Sequence, residues 1–200
     1  MDVGVFGGSF DPVHNGHMAM AEAAMAAAGL AQVLFMPVCV QPFKTGAGTS
    51  GGEHRLAMLE LALEGRRGFS ATDVELRRGG VSYTVDSLRA IRGGLPQGTG
   101  VFFILGADMY LMLEKWHMAD ELLREFSFVA GARPGSENSR LARHAERLRR
   151  RYGTRTVLME NDEIDVSSSC IRDRIRRGAP IDGCLPAPVE RYIHENRLYG

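Results

Sequence analysis

The stretch that decides the fold is Gly4-Val5-Phe6-Gly7-Gly8-Ser9-Phe10-Asp11-Pro12-Val13-His14-Asn15-Gly16-His17. A short apolar strand leads there through two glycines to a pair of histidines, where we expect a helix to begin. Gly7 and Gly8 carry no Cβ atom, so they allow a tight turn and a close approach to a ligand. The N–H groups of the first helical turn attract anions, and His14 and His17 share one face of that turn. The stretch therefore predicts a polyphosphate site.

Two other interpretations of the histidine pair have to be considered. A Gly-Gly pair is a common turn, and two neighbouring histidines are often surface or capping residues. Paired histidines also bind zinc, but no Cys-x-x-Cys accompanies them. The other histidines are scattered along the chain, at His54, His117, His144 and His194. We therefore predict no zinc site and no metal-binding side chains.

The composition sets broad limits on the class of protein. The 200 residues suffice for one compact α/β domain, so we predict a single domain over residues 1–200. Three widely spaced cysteines without a pairing pattern suit a reducing compartment. The first residues lack the features of a signal peptide, and no apolar tract is long enough to span a bilayer. With a formal net charge of zero, we expect neither nucleic acid nor a membrane as a partner, and we predict a cytoplasmic protein.

Apolar strand-like runs alternate with helical patterns along the chain, which predicts a doubly wound α/β fold with a parallel sheet. A small helical part is expected at about residues 166–200. The first helix is predicted over residues 16–28, ending at Gly29, and the last over residues 189–196. The strands are predicted at residues 3–6, 32–38, 69–72, 101–105, 126–131 and 154–159.

A second candidate phosphate motif, DVSSSCIR, occupies residues 165–172. Its serines are typical helix N-caps, and capping alone would explain them. Hydroxyls, helix N–H groups and a guanidinium at one place also describe a polyphosphate clamp, because Arg172 can hold two phosphate oxygens at once. We expect Cys170, inside this motif, to be a small buried thiol.

Both motifs resemble signatures of one superfamily. The first resembles the G-G-[ST]-F-D-P-x-H-x-G-H signature of the adenylyl- and cytidylyltransferases. The second is similar to that superfamily's I-S-S-T-x-I-R motif, with Val166 for isoleucine and Ser169 for threonine. The segment GVSYTVDSL at residues 80–88 resembles the bacterial nicotinate-nucleotide adenylyltransferases, and later blocks around Asp108, Trp116 and Arg133 follow in that family's order. The resemblance covers essentially the whole chain.

The resemblance implies a Rossmann-like nucleotidyltransferase fold and a reaction. That reaction is the transfer of AMP from ATP to nicotinate mononucleotide, giving deamido-NAD and pyrophosphate, with Mg²⁺ bound to ATP. Two alternatives stay open: a sibling transferase with nicotinamide mononucleotide or phosphopantetheine as acceptor, and a nucleotide-binding regulator without turnover. A homo-oligomer stays open as well, because nothing in the sequence determines the oligomeric state.

The resemblance also assigns residues to roles. Trp116 is expected to stack on the pyridine ring, and backbone amides around Thr84 to receive the nicotinate carboxylate. The residues expected to act on the phosphates are His14, His17, Lys44 and Arg172. Those expected to line the nucleotide site are Gly7, Gly8, Ser9, Phe10, Gly106, Asp108, Arg133, Ser167 and Ser168. Those expected to bind the mononucleotide are Tyr83, Thr84 and Trp116.

One segment departs from the family pattern. Where the family has histidine before the lysine of its P-x-x-P-H-K segment, this chain has Phe43, which puts a polar role at that position in doubt. Lys44 remains available for a phosphate. The segment from Lys44 to Glu53 is rich in Gly, Ser and Thr, and we expect a loop there that could close over substrate.

Overall fold

The structure is a computed structural model, and it describes residues 1–40, 50–132, 137–160 and 166–200. Within these residues, six strands form one parallel sheet in the order β3-β2-β1-β4-β5-β6. The strands are β1 (Asp2–Gly8), β2 (Gln32–Pro37), β3 (Phe69–Ala71), β4 (Gly100–Gly106), β5 (Ser127–Ala132) and β6 (Thr156–Glu160). This sheet confirms the predicted doubly wound α/β class, with each predicted strand found within two residues of its expected ends.

Helices connect and cover the strands. They are α1 (Asn15–Ala28), α2 (Gly52–Leu63), α3 (Val74–Arg78), α4 (Thr84–Gly93), α5 (Ala107–Tyr110), α6 (Ala119–Glu125), α7 (Glu137–Tyr152), α8 (Ser168–Arg176) and α9 (Ala187–Glu195). The predicted C-cap Gly29 ends α1 in the left-handed conformation, with φ of 62°. In the part of the chain that the structure describes, we find no helix with the length and apolar character needed to cross a bilayer.

The sheet is buried on both faces, because adjacent residues of each strand point to opposite sides. On one face, Phe102 and Ile104 of β4 join a core cluster that includes residues of α1, α2, α8 and α9. On the other, Phe103 and Leu105 join a second cluster with residues of α4, α5, α6 and α7. The two clusters explain why the central strands are continuous apolar runs rather than alternating ones.

The turn between β1 and α1 differs from the one we predicted. Gly7 and Gly8 are the last two residues of β1, so they do not make the turn. Phe10 makes it, in the left-handed region at φ of 48°. Its ring is 1% exposed and packs against Phe6 and Phe35 with ring centroids 5.4 and 5.5 Å away. Burial of the ring offsets a conformation that costs about 1–3 kcal/mol in a non-glycine residue.

The two glycines serve close packing instead. A Cβ atom added at Gly7 would lie 2.9 Å from the ring of Phe103, and one at Gly8 would lie 3.0 Å from the ring of Phe10. We predicted that the lack of a Cβ atom matters at these two positions, and the close ring contacts confirm that there is no room for one. The prediction of a glycine turn is wrong, because the strand continues through both residues to pair with β2.

Candidate active site

The histidine pair lies where α1 begins, directly after the carboxyl end of β1. His14 is the N-cap residue of α1, and His17 is its third helical residue. Each imidazole accepts a backbone hydrogen bond from the other residue: His14 N–H donates to Nδ1 of His17 at 3.2 Å, and His17 N–H donates to Nδ1 of His14 at 3.3 Å. The two histidines thus form a capping box, with imidazoles in the places usually taken by a hydroxyl and a carboxylate.

This capping box fixes the protonation of both rings. A nitrogen that accepts a backbone N–H carries no proton, so the proton of each neutral imidazole resides on Nε2. Burial lowers the pKa of His14 to about 4. Burial, and secondarily the neighbouring His14, lowers the pKa of His17 well below its ordinary value of 6.5. Near neutral pH both rings are therefore uncharged Nε2–H donors, held by one turn of helix.

The first-turn amides of α1 are less available than we predicted. The N–H group of Asn15 donates to the carbonyl of Cys184 at 3.0 Å, and that of His17 is used by the ring of His14. An anion at this helix start would therefore meet imidazole donors rather than a row of free backbone amides. The sequence could not show this, because Cys184 lies far along the chain.

The second motif contacts the first. Nη1 of Arg172 donates to the carbonyl oxygen of Asp11 at 2.7 Å, and Oγ of Ser168 donates to the carbonyl oxygen of Pro12 at 2.9 Å. Both acceptors belong to the loop that leads into His14. The structure thus joins the two ends of the chain at one loop and brings the guanidinium to the same loop as the imidazoles.

The two serines at the start of α8 have different hydrogen-bond partners. Ser167 is the N-cap of α8 and accepts the N–H of Cys170 at 3.2 Å. Ser168 was expected to contact phosphates, but its hydroxyl proton is donated to Pro12, so it anchors the loop in this structure. Cys170, which we expected to be a buried thiol, is exposed; the buried cysteine is Cys184.

Sequence reasoning missed a polar network around the side chain of Asp11. Its Oδ1 accepts hydrogen bonds from the backbone N–H of Ser50 at 3.2 Å, from the Ser50 hydroxyl, and from the Tyr199 hydroxyl at 2.6 Å. The buried Arg55 donates from Nη1 to the carbonyl of Ser9 at 2.9 Å and from Nε to that of Ser50 at 3.2 Å. The sequence carries no local pattern around Tyr199 that marks it as a partner of Asp11.

A cavity of about 480 Å³ opens beside the carboxyl ends of β1 and β4. Its wall includes Gly7 and Gly8, so it adjoins the loop that leads to the histidines. The mononucleotide residues we predicted, Tyr83, Thr84 and Trp116, all line it. The lining is mostly apolar, with few polar groups, as in binding pockets for small aromatic ligands.

Aromatic residues dominate this cavity. Trp116 is half-buried and meets Phe103 edge-on, with ring centroids 6.0 Å apart. Tyr83 stacks on His117 with centroids 4.1 Å apart. His117 also lines the cavity, although from the sequence we expected it to be one of several scattered histidines without a site role. Its position directly after Trp116 was the signal available in the sequence.

Of the remaining predicted residues, some are described by the structure and others are not. Gly106 ends β4 and lines the same cavity, while Asp108 is exposed in the first turn of α5. Lys44, Phe43 and Arg133 lie outside the described residues, as does most of the loop predicted from residue 44 to 53. Among the residues that are described, no group of three or more His, Cys, Asp or Glu side chains could hold a metal ion.

Fold and site meet at one position in the sheet. Strand order reverses between β1 and β4, and in open α/β sheets ligands bind in the crevice outside the carboxyl ends of strands at such a switch point. The histidine pair follows β1, and Gly106 ends β4. A donor-rich loop and an apolar aromatic cavity therefore lie side by side in one crevice, which can hold a phosphate chain next to a flat ring.

Comparison with known proteins agrees with this arrangement. A family model described as Cytidylyltransferase-like matches residues 5–174. The nicotinate-nucleotide adenylyltransferase of Bacillus subtilis (strain 168) is 38% identical over 199 residues, which cover 98% of this chain and 97% of that protein.

Solved structures support the fold. The Plasmodium falciparum nicotinic acid mononucleotide adenylyltransferase complexed with NaAD gives a TM-score of 0.75 at 17% identity, covering 99% of this chain and 97% of that one. The structure of that protein complexed with APC gives 0.75 at 16% identity, covering 99% and 96%.

These findings first define a class: the chain is a nucleotidyltransferase with a Rossmann-like α/β fold. More particularly, it belongs to the cytidylyltransferase-like family, in the group of the nicotinate-nucleotide adenylyltransferases. The resemblance seen in the sequence is thereby confirmed.

Proposed function

We propose that the histidine pair, Arg172 and the aromatic cavity together carry out the reaction for which the relatives are named. ATP donates its adenylyl group to nicotinate mononucleotide, and the products are deamido-NAD and pyrophosphate. This reaction belongs to NAD biosynthesis. The proposal is carried by one observation: Arg172 and Ser168 bind the same loop that leads into His14 and His17, so one loop holds the guanidinium and both imidazoles.

The chemistry requires positioning and charge stabilisation. The 5′-phosphate oxygen of the mononucleotide attacks the α-phosphorus of ATP, a new P–O bond forms, and the bond to the bridging oxygen of pyrophosphate breaks. Negative charge moves onto the leaving pyrophosphate. The Nε2–H groups of His14 and His17 and the guanidinium of Arg172 are the donors we assign to it. Lys44 is a further candidate for the same task.

We assign the aromatic cavity to binding of the acceptor, nicotinate mononucleotide. A pyridine ring offers an aromatic face to Trp116, and a flat ligand between aromatic side chains gains stacking energy without needing many polar contacts. We assign the carboxylate of nicotinate to backbone amides near Thr84, the first residue of α4. We assign Asp108 to hydroxyl groups of the nucleotide, and Gly8 and Ser9 to the wall of the ATP site. Phe10, which we also expected at that wall, is 1% exposed and therefore supports it from the core instead of contacting ATP.

Nucleotidyltransferases of this family typically use a divalent metal ion. We propose Mg²⁺, carried in by ATP. The described side chains fit an ion held by phosphate oxygens and water, because they offer no cluster of three ligands. Bound in this way, the ion would neutralise part of the charge on the phosphates. The side chains named above bind and orient the same phosphates.

We also propose that residues 1–200 act as one domain in the cytoplasm and that neither nucleic acid nor a membrane is a partner. The core cluster shared by β1, α1, α8 and α9 supports the single domain, since the C-terminal helices bury Ile171, Val189 and Ile193 in it. Assembly into a homo-oligomer stays a prediction.

The test is a pyrophosphate-release assay with Mg²⁺-ATP and a panel of acceptors: nicotinate mononucleotide, nicotinamide mononucleotide and phosphopantetheine. We expect the highest kcat/KM with nicotinate mononucleotide and deamido-NAD as its product. Preference for another acceptor would assign the chain to a sibling activity. ATP binding without release of pyrophosphate from ATP in the presence of any acceptor would support a regulator instead.

A further inference from the structure

The side chain of Asp11 is 1% exposed, yet its carboxylate is unevenly bonded. Within the part of the chain that the structure describes, the carboxylate accepts its hydrogen bonds at Oδ1, from the N–H and the hydroxyl of Ser50 and from the hydroxyl of Tyr199. The Ser50 and Tyr199 hydroxyls also lie 3.2 Å from each other. Oδ2 is buried and accepts no hydrogen bond from any residue in the described ranges. A buried carboxylate oxygen without a donor is costly, so its orientation has to be imposed by the groups on Oδ1.

Oδ2 of Asp11 faces the guanidinium of Arg172. It lies 3.9 Å from Nη1 of Arg172, which donates its hydrogen bond to the main-chain carbonyl of Asp11 instead. Nε of Arg172 is also buried without a partner among the described residues. Asp11 and Arg172 are thus close enough to attract each other, but they do not form the two-bond pair that guanidinium and carboxylate groups prefer.

Tyr199 is held firmly enough to impose that orientation. It follows α9 in the left-handed region, at φ of 68°, and its ring packs against the core cluster that contains α1 and α9. Burial and the bond to Asp11 raise the pKa of its hydroxyl well above the ordinary value of 10.0. Tyr199 therefore keeps its proton at all physiological pH values and remains a donor to the carboxylate.

We propose that Tyr199 is a positioning residue for ATP, which holds the Asp11 carboxylate so that the Arg172 guanidinium stays available to the triphosphate. With Oδ1 engaged by Tyr199 and Ser50, the carboxylate cannot turn to capture Arg172. If the phenol hydroxyl is lost, then of the donors that the structure describes only the two from Ser50 remain on Oδ1. The Asp11 carboxylate is then held less firmly, so it can pair with Arg172 and compete with the phosphates for it. This inference rests on the proposed role of Arg172 in binding ATP.

The test is Tyr199→Phe, which keeps the ring and its packing and removes the donor. We expect KM for ATP, and the ATP dissociation constant measured by calorimetry, to rise roughly tenfold, the lower end of the effect of a hydrogen bond to a charged group. KM for the mononucleotide should stay within about twofold of wild type, because that cavity is lined by other residues. The matched control is Tyr192→Phe, whose hydroxyl pairs with His54 at 3.0 Å and not with the Asp11 network.

A second variant separates positioning from folding. In an Asp11→Asn background, Tyr199→Phe should have little further effect on ATP affinity, because the competing charge is already gone. Two results would overturn the inference: ATP affinity unchanged in Tyr199→Phe, or equal loss of ATP and mononucleotide affinity together with a lowered melting temperature. Because ATP affinity is measured without turnover, failure of the proposed reaction would appear separately, as absent pyrophosphate release in the wild-type protein.

Discussion

The imidazole rings of His14 and His17 stack with centroids 3.7 Å apart and with 26° between their planes. Each ring uses Nδ1 to accept the backbone N–H of the other residue, so the pair closes the start of α1 and presents its remaining N–H groups together. One turn of helix thereby supplies two neutral donors in fixed tautomers. Neutral donors cost less to bury than two adjacent imidazolium cations would.

The first prediction concerns His17. In His17→Ala we expect kcat to fall by roughly 10² to 10³, the effect of removing one donor that stabilises charge in a transition state. The N-cap bond from the residue 17 backbone to Nδ1 of His14 survives this change, so the protein should still fold. Steady-state kinetics and thermal melting measure the two effects. The matched control is His194→Ala, at an exposed position of α9; wild-type turnover in His17→Ala would remove His17 from the reaction.

The second prediction concerns stability in acid. The pKa of His14 is about 4 in the folded protein and 6.5 ordinarily, so the unfolded chain binds the proton more readily. This group therefore leaves stability unchanged above about pH 6.5 and reduces it as the pH falls toward 4. Because the pKa of His14 falls from 6.5 to about 4 on folding, we expect this residue to lower the free energy of unfolding by about 3 kcal/mol between pH 7 and pH 4.

Urea unfolding of the wild type and of His14→Asn at both pH values measures this loss. Asparagine is a good N-cap and does not titrate, so the variant should lose correspondingly less stability in acid. If the free energy of unfolding falls by the same amount in both proteins between pH 7 and pH 4, His14 is not kept neutral by burial.

The third prediction concerns Trp116 in the aromatic cavity. Trp116→Ala should weaken binding of nicotinate mononucleotide by roughly 1 to 3 kcal/mol, the range measured for stacking of a base on an aromatic side chain. ATP affinity should change little and serves as the internal control. Calorimetric titration of each ligand measures both values. An unchanged mononucleotide affinity would place the pyridine ring elsewhere.

The fourth prediction concerns the geometry of Arg172. Lysine keeps the charge but loses the planar fork, so Arg172→Lys can no longer bind the Asp11 carbonyl and two phosphate oxygens at once. We expect KM for ATP to rise by roughly 10- to 100-fold, as for the loss of a charge-assisted hydrogen bond. The control is Arg176→Lys, at an exposed position of the same helix. Equal KM values for the two variants would contradict a specific role for Arg172.

The sheet was predictable because its signals are local. The central strands are short apolar runs bounded by glycine or polar residues, and Ala- and Met-rich α1 ends at a glycine that can adopt positive φ. The turn after β1 was not predictable in the same way. A Gly-Gly pair favours a turn on average, but here pairing with β2 extends the strand, and the buried ring of Phe10 stabilises the turn two residues later.

The network around Asp11 was beyond sequence reasoning for a different reason. Tyr199 is 188 positions from Asp11 and Ser50 is 39 positions away, and neither carries a local pattern that marks it as a partner. Hydrogen-bond partners at such separations are selected by how helices α2 and α9 pack on the sheet. The same packing buries Arg55 and so lowers its pKa, against the opposing attraction of Asp11.

By itself the sequence determined the class of fold, because strand periodicity and helix caps act over a few neighbouring residues. Its resemblance to one family also pointed to the two candidate phosphate motifs and to the aromatic residues that line the cavity. Only the tertiary structure decided that Arg172 binds the carbonyl of a residue 161 positions away, that the Asn15 amide at the start of α1 is already bound to Cys184, and that both imidazoles are neutral. Those outcomes depend on burial and on contacts between distant segments, which exist only once the sheet and its helices have packed.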